Sequence, residues 1–330
     1  SKRYQTIGKP IKKARPSAER YLVYREFDEY QRKNYSTIPV NCLCGNDSSY
    51  LISKVDREGW KYKLVLCKSC GLIRAKDYWD EKSVIDYYKN WYRKKYGGES
   101  DPSILFDKHK MRSKKVWDFV IDYCKNFTEP YTVVDIGGGS GGKMALFKKN
   151  NCYLFDFNKS LLKNAEKMGI NTIEGGIDKL PLINHKPDLV ILSHVIEHFT
   201  NVDKELKTLR ANLKIGSLVY IEVPGIDSLK NGRREYDFLG DLHWPHVYYF
   251  SADVLNNLML RYGFRCLKSN TEIMALYEYT GESGGLINYH DSVCDLIRVA
   301  ERKRQFGMAY IRQFKYFIAG ILQPYLNNRI

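Results

Sequence analysis

The stretch Val133-Val134-Asp135-Ile136-Gly137-Gly138-Gly139-Ser140-Gly141-Gly142 decides how the rest of the chain is read. An apolar run from Tyr131 to Ile136 reads as a strand, breaks into glycines, and passes into the helix-like pattern Lys143-Met144-Ala145-Leu146-Phe147. Glycines at such a junction allow a tight turn and bring bare backbone against a ligand, and the start of a following helix favours a polar or anionic group. Alone, the loop admits any nucleotide cofactor. Two carboxylates narrow it. Asp135 stands just before the glycines, and Asp156 closes the next apolar run 21 residues later, where it is placed to accept hydrogen bonds from both ribose hydroxyls.

Outward from the loop, apolar runs at 132–136, 152–156, 171–174, 188–193 and 217–223 alternate with amphipathic stretches, the pattern of a parallel sheet with crossover helices. A helix is expected from Ser251, as N-cap, to a stop at Gly263, followed by strands at 264–269 and 273–279. The core is thus expected over residues 131–282. Ahead of it, 77–130 reads as a helical linker or lid, with Tyr87, Tyr88, Trp91, Val116, Phe119, Val120 and Tyr123 as anchors and a loop at Gly97-Gly98 and Pro102. Residues 39–76 hold Cys42, Cys44, Cys67 and Cys70 between short β-rich runs, and 1–38 form a basic, Tyr-rich arm interrupted by Pro10 and Pro16. Behind the core, 283–330 reads as a tail, helical from about 290 to 322, that alternates basic residues with aromatics such as Phe314, Tyr316 and Phe317.

At 330 residues and 44% hydrophobic content the chain can bury a large core, and its length favours two domains. No stretch approaches the roughly 18 to 20 apolar residues needed to cross a bilayer, and no secretory segment follows the basic start. The first residue is Ser1 rather than Met, which points to a trimmed or partial chain, and a cytoplasmic enzyme is expected. A net charge of +15 favours anionic partners or serves solubility alone; part of it lies in Lys9, Lys12, Lys13 and Arg15 and in Arg302-Lys303-Arg304. The scattered Cys124, Cys152, Cys266 and Cys294 read as small packing residues.

Asp135 to Gly141 resembles the first motif of class I S-adenosylmethionine-dependent methyltransferases, an acidic residue followed by G-x-G-x-G. Asp156 matches that family's ribose-binding acid, and Phe157 follows it. Glu174 to Pro181 resembles the adenine-contacting motif, Ser193 to Phe199 the segment after strand four, and Leu213 to Pro224 the following turn and strand five. The resemblance spans about 131–280. It implies a Rossmann-like α/β core with a seven-stranded mixed sheet, S-adenosyl-L-methionine as cofactor, and Asp135, Gly137, Gly139, Gly141, Asp156, Phe157, Ile177, Asp178, Ser193 and His194 around it. Gly176 stands where many members carry Asp, so Asp178 either takes over the adenine amino group or is a solvated loop charge.

The four early cysteines have the chemistry of a closed structural zinc site, because four thiolates leave no position for a substrate. Cys67-Lys68-Ser69-Cys70 has knuckle spacing, whereas Cys42-Leu43-Cys44 has one intervening residue where two are usual. Either Cys42 reaches the metal through a distorted knuckle or Asn41 occupies its place. The module resembles the zinc-binding module ahead of the methyltransferase core in sugar methyltransferases of deoxysugar and surface-polysaccharide pathways.

Methyl transfer needs an acceptor held in line and a base for its proton, and histidine suits the second task. Of seven histidines, four lie in two clusters. His194 and His198, with Glu197, fall after strand four and at i, i+4 spacing are expected on one helical face. His243 and His246 lie in an insert, Gly225 to Phe250, that also carries Asp237, Asp241, Trp244, Tyr248 and Tyr249 and suits a sugar ring. Either His243 or His246 is expected as the general base, the alternative being a loop brace. The expected function is methyl transfer to a saccharide, as a nucleotide-sugar or a surface glycan, at oxygen before carbon. The rivals are an RNA methyltransferase and a non-catalytic cofactor-binding assembly protein. Nucleic acid is not an expected partner, since no RNA-binding module is recognised. The basic tail is expected either to touch a membrane surface at the inner face or a partner protein, or to pack on the core.

Overall fold

A computed structural model describes residues 2–6, 18–96 and 101–307. Lys9, Pro10, Lys12, Lys13, Arg15, Pro16, Gly97, Gly98, Phe314, Tyr316 and Phe317 lie outside these residues.

Helix α1 (Ala18–Asn34) precedes a β module made of β1 (Thr37–Pro39), β2 (Ser49–Val55), β3 (Lys61–Cys67), β4 (Ile73–Ala75) and β5 (Asp77–Trp79). Helices α2 (Glu81–Asn90), α3 (Tyr92–Tyr96) and α4 (Pro102–Cys124) follow. Both α2 and α4 begin on an aspartate cap, Asp80 accepting the Ser83 amide and Asp101 those of Ser103 and Ile104, with Pro102 in the first turn of α4. The segment expected as an N-terminal arm therefore contains a 17-residue helix. Its Phe27 is fully buried among Trp79, Tyr87, Trp91 and Trp244.

The core runs β6 (Thr132–Ile136), β7 (Asn151–Asp156), α5 (Lys159–Lys167), β8 (Asn171–Glu174), β9 (Leu189–Ser193), α6 (Val202–Ala211) and β10 (Leu218–Glu222). Then come α7 (Phe238–Asp241), β11 (Tyr248–Tyr249), α8 (Ala252–Arg261), β12 (Phe264–Ser269) and β13 (Met274–Tyr279). The seven-stranded sheet has the order β12-β13-β10-β9-β6-β7-β8. Its five strands from β10 to β8 are parallel, and β13 is antiparallel to both its neighbours. The expected Rossmann-like mixed sheet is what forms. β6 and β9 are buried at every position because both faces of the sheet are covered, which is why they read as mainly apolar runs without alternation. Chain order reverses between these two strands, so the crevice beyond their C-terminal ends is where a ligand is held in such a fold.

One element differs from expectation. After the glycine loop the chain makes only a 3-10 helix, Gly142–Phe147, before β7 begins at Asn151. This is too short for a full crossover helix, and α4 covers that face instead. A side chain at Gly142 would start 2.3 Å from the Phe106 carbonyl oxygen and 2.8 Å from the Lys110 amide nitrogen, so α4 lies directly on the loop.

The insert between β10 and α8 does not project as a free loop. Its strand β11 pairs antiparallel with β4, Tyr248 opposite Arg74 and Tyr249 opposite Ile73, and so completes a four-stranded sheet β11-β4-β3-β2. Ala75 adds an amide bond to the Val247 carbonyl at 2.8 Å. The cysteine module and the insert thus share one sheet.

Candidate active site

Gly137, Gly139 and Gly141 all take left-handed φ values, +65°, +62° and +76°. L-residues reach that region only with strain, which accounts for the glycine spacing. At the end of β7, Asp156 Oδ2 accepts the Gly139 amide at 2.9 Å and Oδ1 the Asn158 amide at 2.8 Å. A carboxylate accepts through both oxygens, as two ribose hydroxyls require. Beside it the exposed Phe157 ring comes within 3.7 Å of where a Gly176 side chain would begin. Asp178 is exposed, caps the Gly176 amide at 3.2 Å and pairs with Lys179 at 3.0 Å, whereas the Ile177 side chain is buried in the core. Asp135 is fully buried, with Lys143 Nζ 3.9 Å away and neither carboxylate oxygen hydrogen-bonded among the described residues. Burial raises its pKa to about 6 against the pull of Lys143. An orphaned carboxylate under the loop fits a cationic ligand above it, as the sulfonium and ammonium of S-adenosylmethionine would be. Sequence reasoning missed His109 of α4, whose Nδ1 lies 2.9 Å from Ser140 Oγ on the loop; only the packing of α4 could reveal it.

Beyond β9 and β10 the chain gathers a second set of groups. Glu222 accepts from the Ser193 hydroxyl at 2.9 Å and from Lys115 at 3.0 Å. Burial opposes its ionisation, yet Lys115, His194 and Ser193 hold its pKa below the ordinary carboxylate value. His194 adopts φ +59°. Together with Lys115, Glu222, Ser228, Asn231 and Arg233 it lines a cavity of about 470 Å³. A larger cavity, about 930 Å³, lies between α1 and the β module, lined by Tyr24, Trp60, Tyr78, Trp79 and Trp244 and by none of the glycine loop. The smaller one sits at the sheet's ligand edge, where the fold's chemistry is done.

The expected helical face shared by His194 and His198 does not form. His194 turns left-handed, and only Ile196–His198 make a 3-10 turn. The two rings meet on Glu197 instead: His194 Nδ1 lies 3.5 Å and His198 Nε2 3.8 Å from Glu197 Oε1.

The insert brings its histidines to the same place. The Val247 amide bonds the Glu197 carbonyl at 2.7 Å, and the His246 ring lies 4.8 Å from that of His198 and 5.3 Å from that of His243. Burial, reinforced by nearby positive charge, holds both His243 and His246 well below 6.5, so both are neutral at physiological pH. His243 is buried and His246 half-buried. Module side chains hold the loop: Tyr62 donates to the His246 carbonyl, and Tyr78 to that of Pro245 at 3.1 Å. The aromatic insert expected to face a sugar is otherwise occupied. Trp244, Tyr248 and Tyr249 are buried, with Trp244 3.7 Å from Trp79 between ring centroids. Asp237 caps α7, and Asp241 binds Arg234 at 2.7 Å.

In the module, Cys42 Sγ stands 3.5 Å from both Cys70 and Cys44, and Cys44 3.6 Å from Cys67. Zinc–sulfur bonds of about 2.3 Å place tetrahedral ligands about 3.8 Å apart, so the four thiols fit one ion. Cys42 is in the cluster and Asn41 is exposed outside it. The turn between β3 and β4 is braced from behind: His290 Nδ1 bonds the Cys67 carbonyl at 3.0 Å, and a side chain on Gly71 would strike the Tyr289 backbone at 2.7 Å. The helix that starts there is described as far as residue 307.

A methyltransferase-domain family matches residues 108–269, beginning inside α4. Two curated relatives are ubiquinone/menaquinone biosynthesis C-methyltransferases UbiE. That of Pasteurella multocida is 29% identical over 141 residues, 38% of this chain and 52% of that protein. That of Haemophilus ducreyi is 28% identical over 121 residues, 32% of this chain and 46% of that protein. The chain thus spans about half the length of the curated relatives it matches. Among solved structures, the plantazolicin methyltransferase BamL aligns over 68% of this chain and 87% of its own at 19% identity, with a TM-score of 0.43. Magnesium protoporphyrin IX methyltransferase from Synechocystis PCC 6803 aligns over 60% and 98% at 13% identity, with a TM-score of 0.42. This chain carries a class I S-adenosylmethionine-dependent methyltransferase fold, with a four-cysteine cluster of metal-site geometry ahead of it.

Proposed function

We propose that the chain transfers the methyl group of S-adenosylmethionine to a hydroxyl of a saccharide, carried on a nucleotide or in a glycan. The observation that supports this best is the position of His194. Its exposed imidazole lines the 470 Å³ cavity with Glu222, and the next residue, Val195, comes within 2.8 Å of where a Gly137 side chain would start. A base there stands between the cofactor loop and a space of acceptor size. Lys115, Arg233, Glu222 and Glu272 give the cavity wall charges of both signs, with polar groups for a hydroxylated acceptor. In this reading Gly137, Gly139 and Gly141 admit the methionine end of the cofactor, Asp156 holds its ribose, and Phe157 and Asp178 flank its adenine. His243 and His246 brace the acceptor side, and the four cysteines carry a structural zinc.

The test incubates purified protein with S-adenosylmethionine and a panel of nucleotide-sugars, sugar phosphates and oligosaccharides, reading S-adenosylhomocysteine release and product mass. A methylated saccharide is expected. His194→Ala should slow its formation by about 10²-fold or more while S-adenosylhomocysteine binding persists. Methylation of RNA or protein with no saccharide product would sink the acceptor class, and an unchanged rate in His194→Ala would sink the base. Carbon methylation is the second reading, favoured by the reaction that the two curated relatives' names give, and the NMR spectrum of the product separates it from O-methylation. Metal analysis should find one equivalent of zinc per chain that Cys70→Ser removes from the cysteine cluster.

A further inference from the structure

We propose that Glu197, His198 and His246 form a second metal site, separate from the cysteine cluster, for a first-row divalent cation such as Mn²⁺, Fe²⁺ or Zn²⁺. One ligand atom from each of the three lies within 4.8 Å of the others. Bonds of about 2.1 Å would bring them to roughly 3.0 to 3.5 Å, a closure that side-chain rotation supplies.

The protonation pattern points to a cation. His198 Nδ1 lies 2.8 Å from the Pro245 carbonyl oxygen and 2.8 Å from the Tyr88 hydroxyl. A carbonyl oxygen only accepts, so Nδ1 carries the proton, as in metal-bound histidines oriented by an outer partner. In the neutral ring Nε2 presents its lone pair toward Glu197 Oε1, 3.8 Å away, an oxygen that His194 Nδ1 also approaches at 3.5 Å. Glu197 is itself almost wholly buried, and neither oxygen accepts a hydrogen bond among the described residues. Two acceptors thus face each other in a buried place, where an unpaired carboxylate is costly. Two imidazoles and a carboxylate form a ligand set for borderline cations rather than for Mg²⁺. The nearby cations have partners of their own: Arg233 pairs with Asp241 at 3.3 Å and Arg57 with Glu58 at 4.0 Å.

Three protein ligands leave positions open for an acceptor hydroxyl, a role that rests on the methyl-transfer reading; the binding of the ion does not. An acceptor hydroxyl held there would give its proton to His194 as its oxygen bonds the methyl carbon, and the electron pair of the broken carbon–sulfur bond would stay on sulfur as neutral S-adenosylhomocysteine leaves.

The test titrates Mn²⁺ into full-length protein whose cysteine site is already loaded, reading free Mn²⁺ by electron paramagnetic resonance. One bound Mn²⁺ per chain is expected. Glu197→Gln and His246→Gln should each weaken it at least tenfold while the cysteine-bound metal and S-adenosylhomocysteine binding are kept. Failure of Mn²⁺, Co²⁺ and Zn²⁺ to bind beyond the cysteine equivalent overturns the site, as does binding that survives both substitutions together. His198 protonated on both nitrogens in the presence of diamagnetic Zn²⁺, seen by ¹⁵N NMR, also overturns it and leaves an ion pair with Glu197. Methyl transfer unaffected by stripping this ion overturns the acceptor role alone. Since the titration contains no acceptor, its failure is distinct from failure of the proposed reaction.

Discussion

Replacing Asp135 with asparagine tests the electrostatics of the glycine loop. The Asp135 carboxyl lies fully buried with no hydrogen-bond donor on it among the described residues, and burial raises its pKa from 3.8 to about 6. The folded state therefore holds its proton more tightly than the unfolded chain does. Stability from this group is complete below pH 3.8 and is lost as pH rises through 6. At pH 8 the loss reaches about 3 kcal/mol, of which about 1.4 kcal/mol falls between pH 5 and pH 8. The amide that replaces the carboxyl does not titrate. Its packing is nearly independent of pH, and the attraction of Lys143, 3.9 Å away in the wild type, is already contained in the carboxyl's pKa of about 6. Urea unfolding of cofactor-free wild type and Asp135→Asn, followed by tryptophan fluorescence at pH 5, 6, 7 and 8, isolates the carboxyl as the change in their difference. The variant should gain about 1.4 kcal/mol on the wild type across that range, with most of the gain below pH 7. Loss of metal from the cysteines at low pH affects both proteins alike and cancels. A difference that stays flat, or that shrinks as pH rises, would refute the claim that Asp135 is ionised at a cost beneath the loop.

Gly142→Ala should destabilise the protein by about 1–3 kcal/mol and weaken S-adenosylhomocysteine binding, because the new methyl group meets the Phe106 carbonyl oxygen at 2.3 Å; chemical denaturation and calorimetry read both. Trp244→Ala should cost about 3–5 kcal/mol and lower methyl transfer more than cofactor binding. Its indole is buried against Phe27, Trp79 and Tyr87, and it holds the His243–His246 loop to the N-terminal helices. Full activity in a folded Trp244→Ala protein would show that the loop keeps its place without that anchor.

The core strands were legible in the sequence to within a residue because β6, β7, β9 and β10 are short apolar runs closed by glycine, acidic or polar residues. The glycine spacing was legible because three left-handed positions recur at alternate residues. Where the reading departed, non-local contact had the deciding role. Lys143 to Phe147 has helical periodicity, yet α4 occupies the face a crossover helix would need. His194 and His198 have helical spacing, yet a left-handed turn at His194 ends the pattern. Nothing near Trp244, Tyr248 or Tyr249 announces that their partners are Trp79, Arg74 and Ile73. Glu197 was visible beside two histidines, but its burial, with no hydrogen bond to its carboxylate among the described residues, and the approach of His246 from the insert were not.

The pairing of β4 with β11 also sets an order of events during synthesis. Arg74 and Tyr248 are 174 positions apart, so β4 leaves the ribosome long before its partner. Until residue 249 emerges, the cysteine knuckle can gather its metal, but Ile73 to Ala75 form an open sheet edge with buried-type residues on it. The five parallel strands from β6 to β10 have thus all emerged by residue 222, while the module in front of them is still unfinished and β12 and β13 are still to come. A fragment cut after β10 would keep both the metal ligands and the glycine loop and yet offer a sticky strand to its neighbours. The insert carrying His246 is thus also the piece that covers the module's open edge.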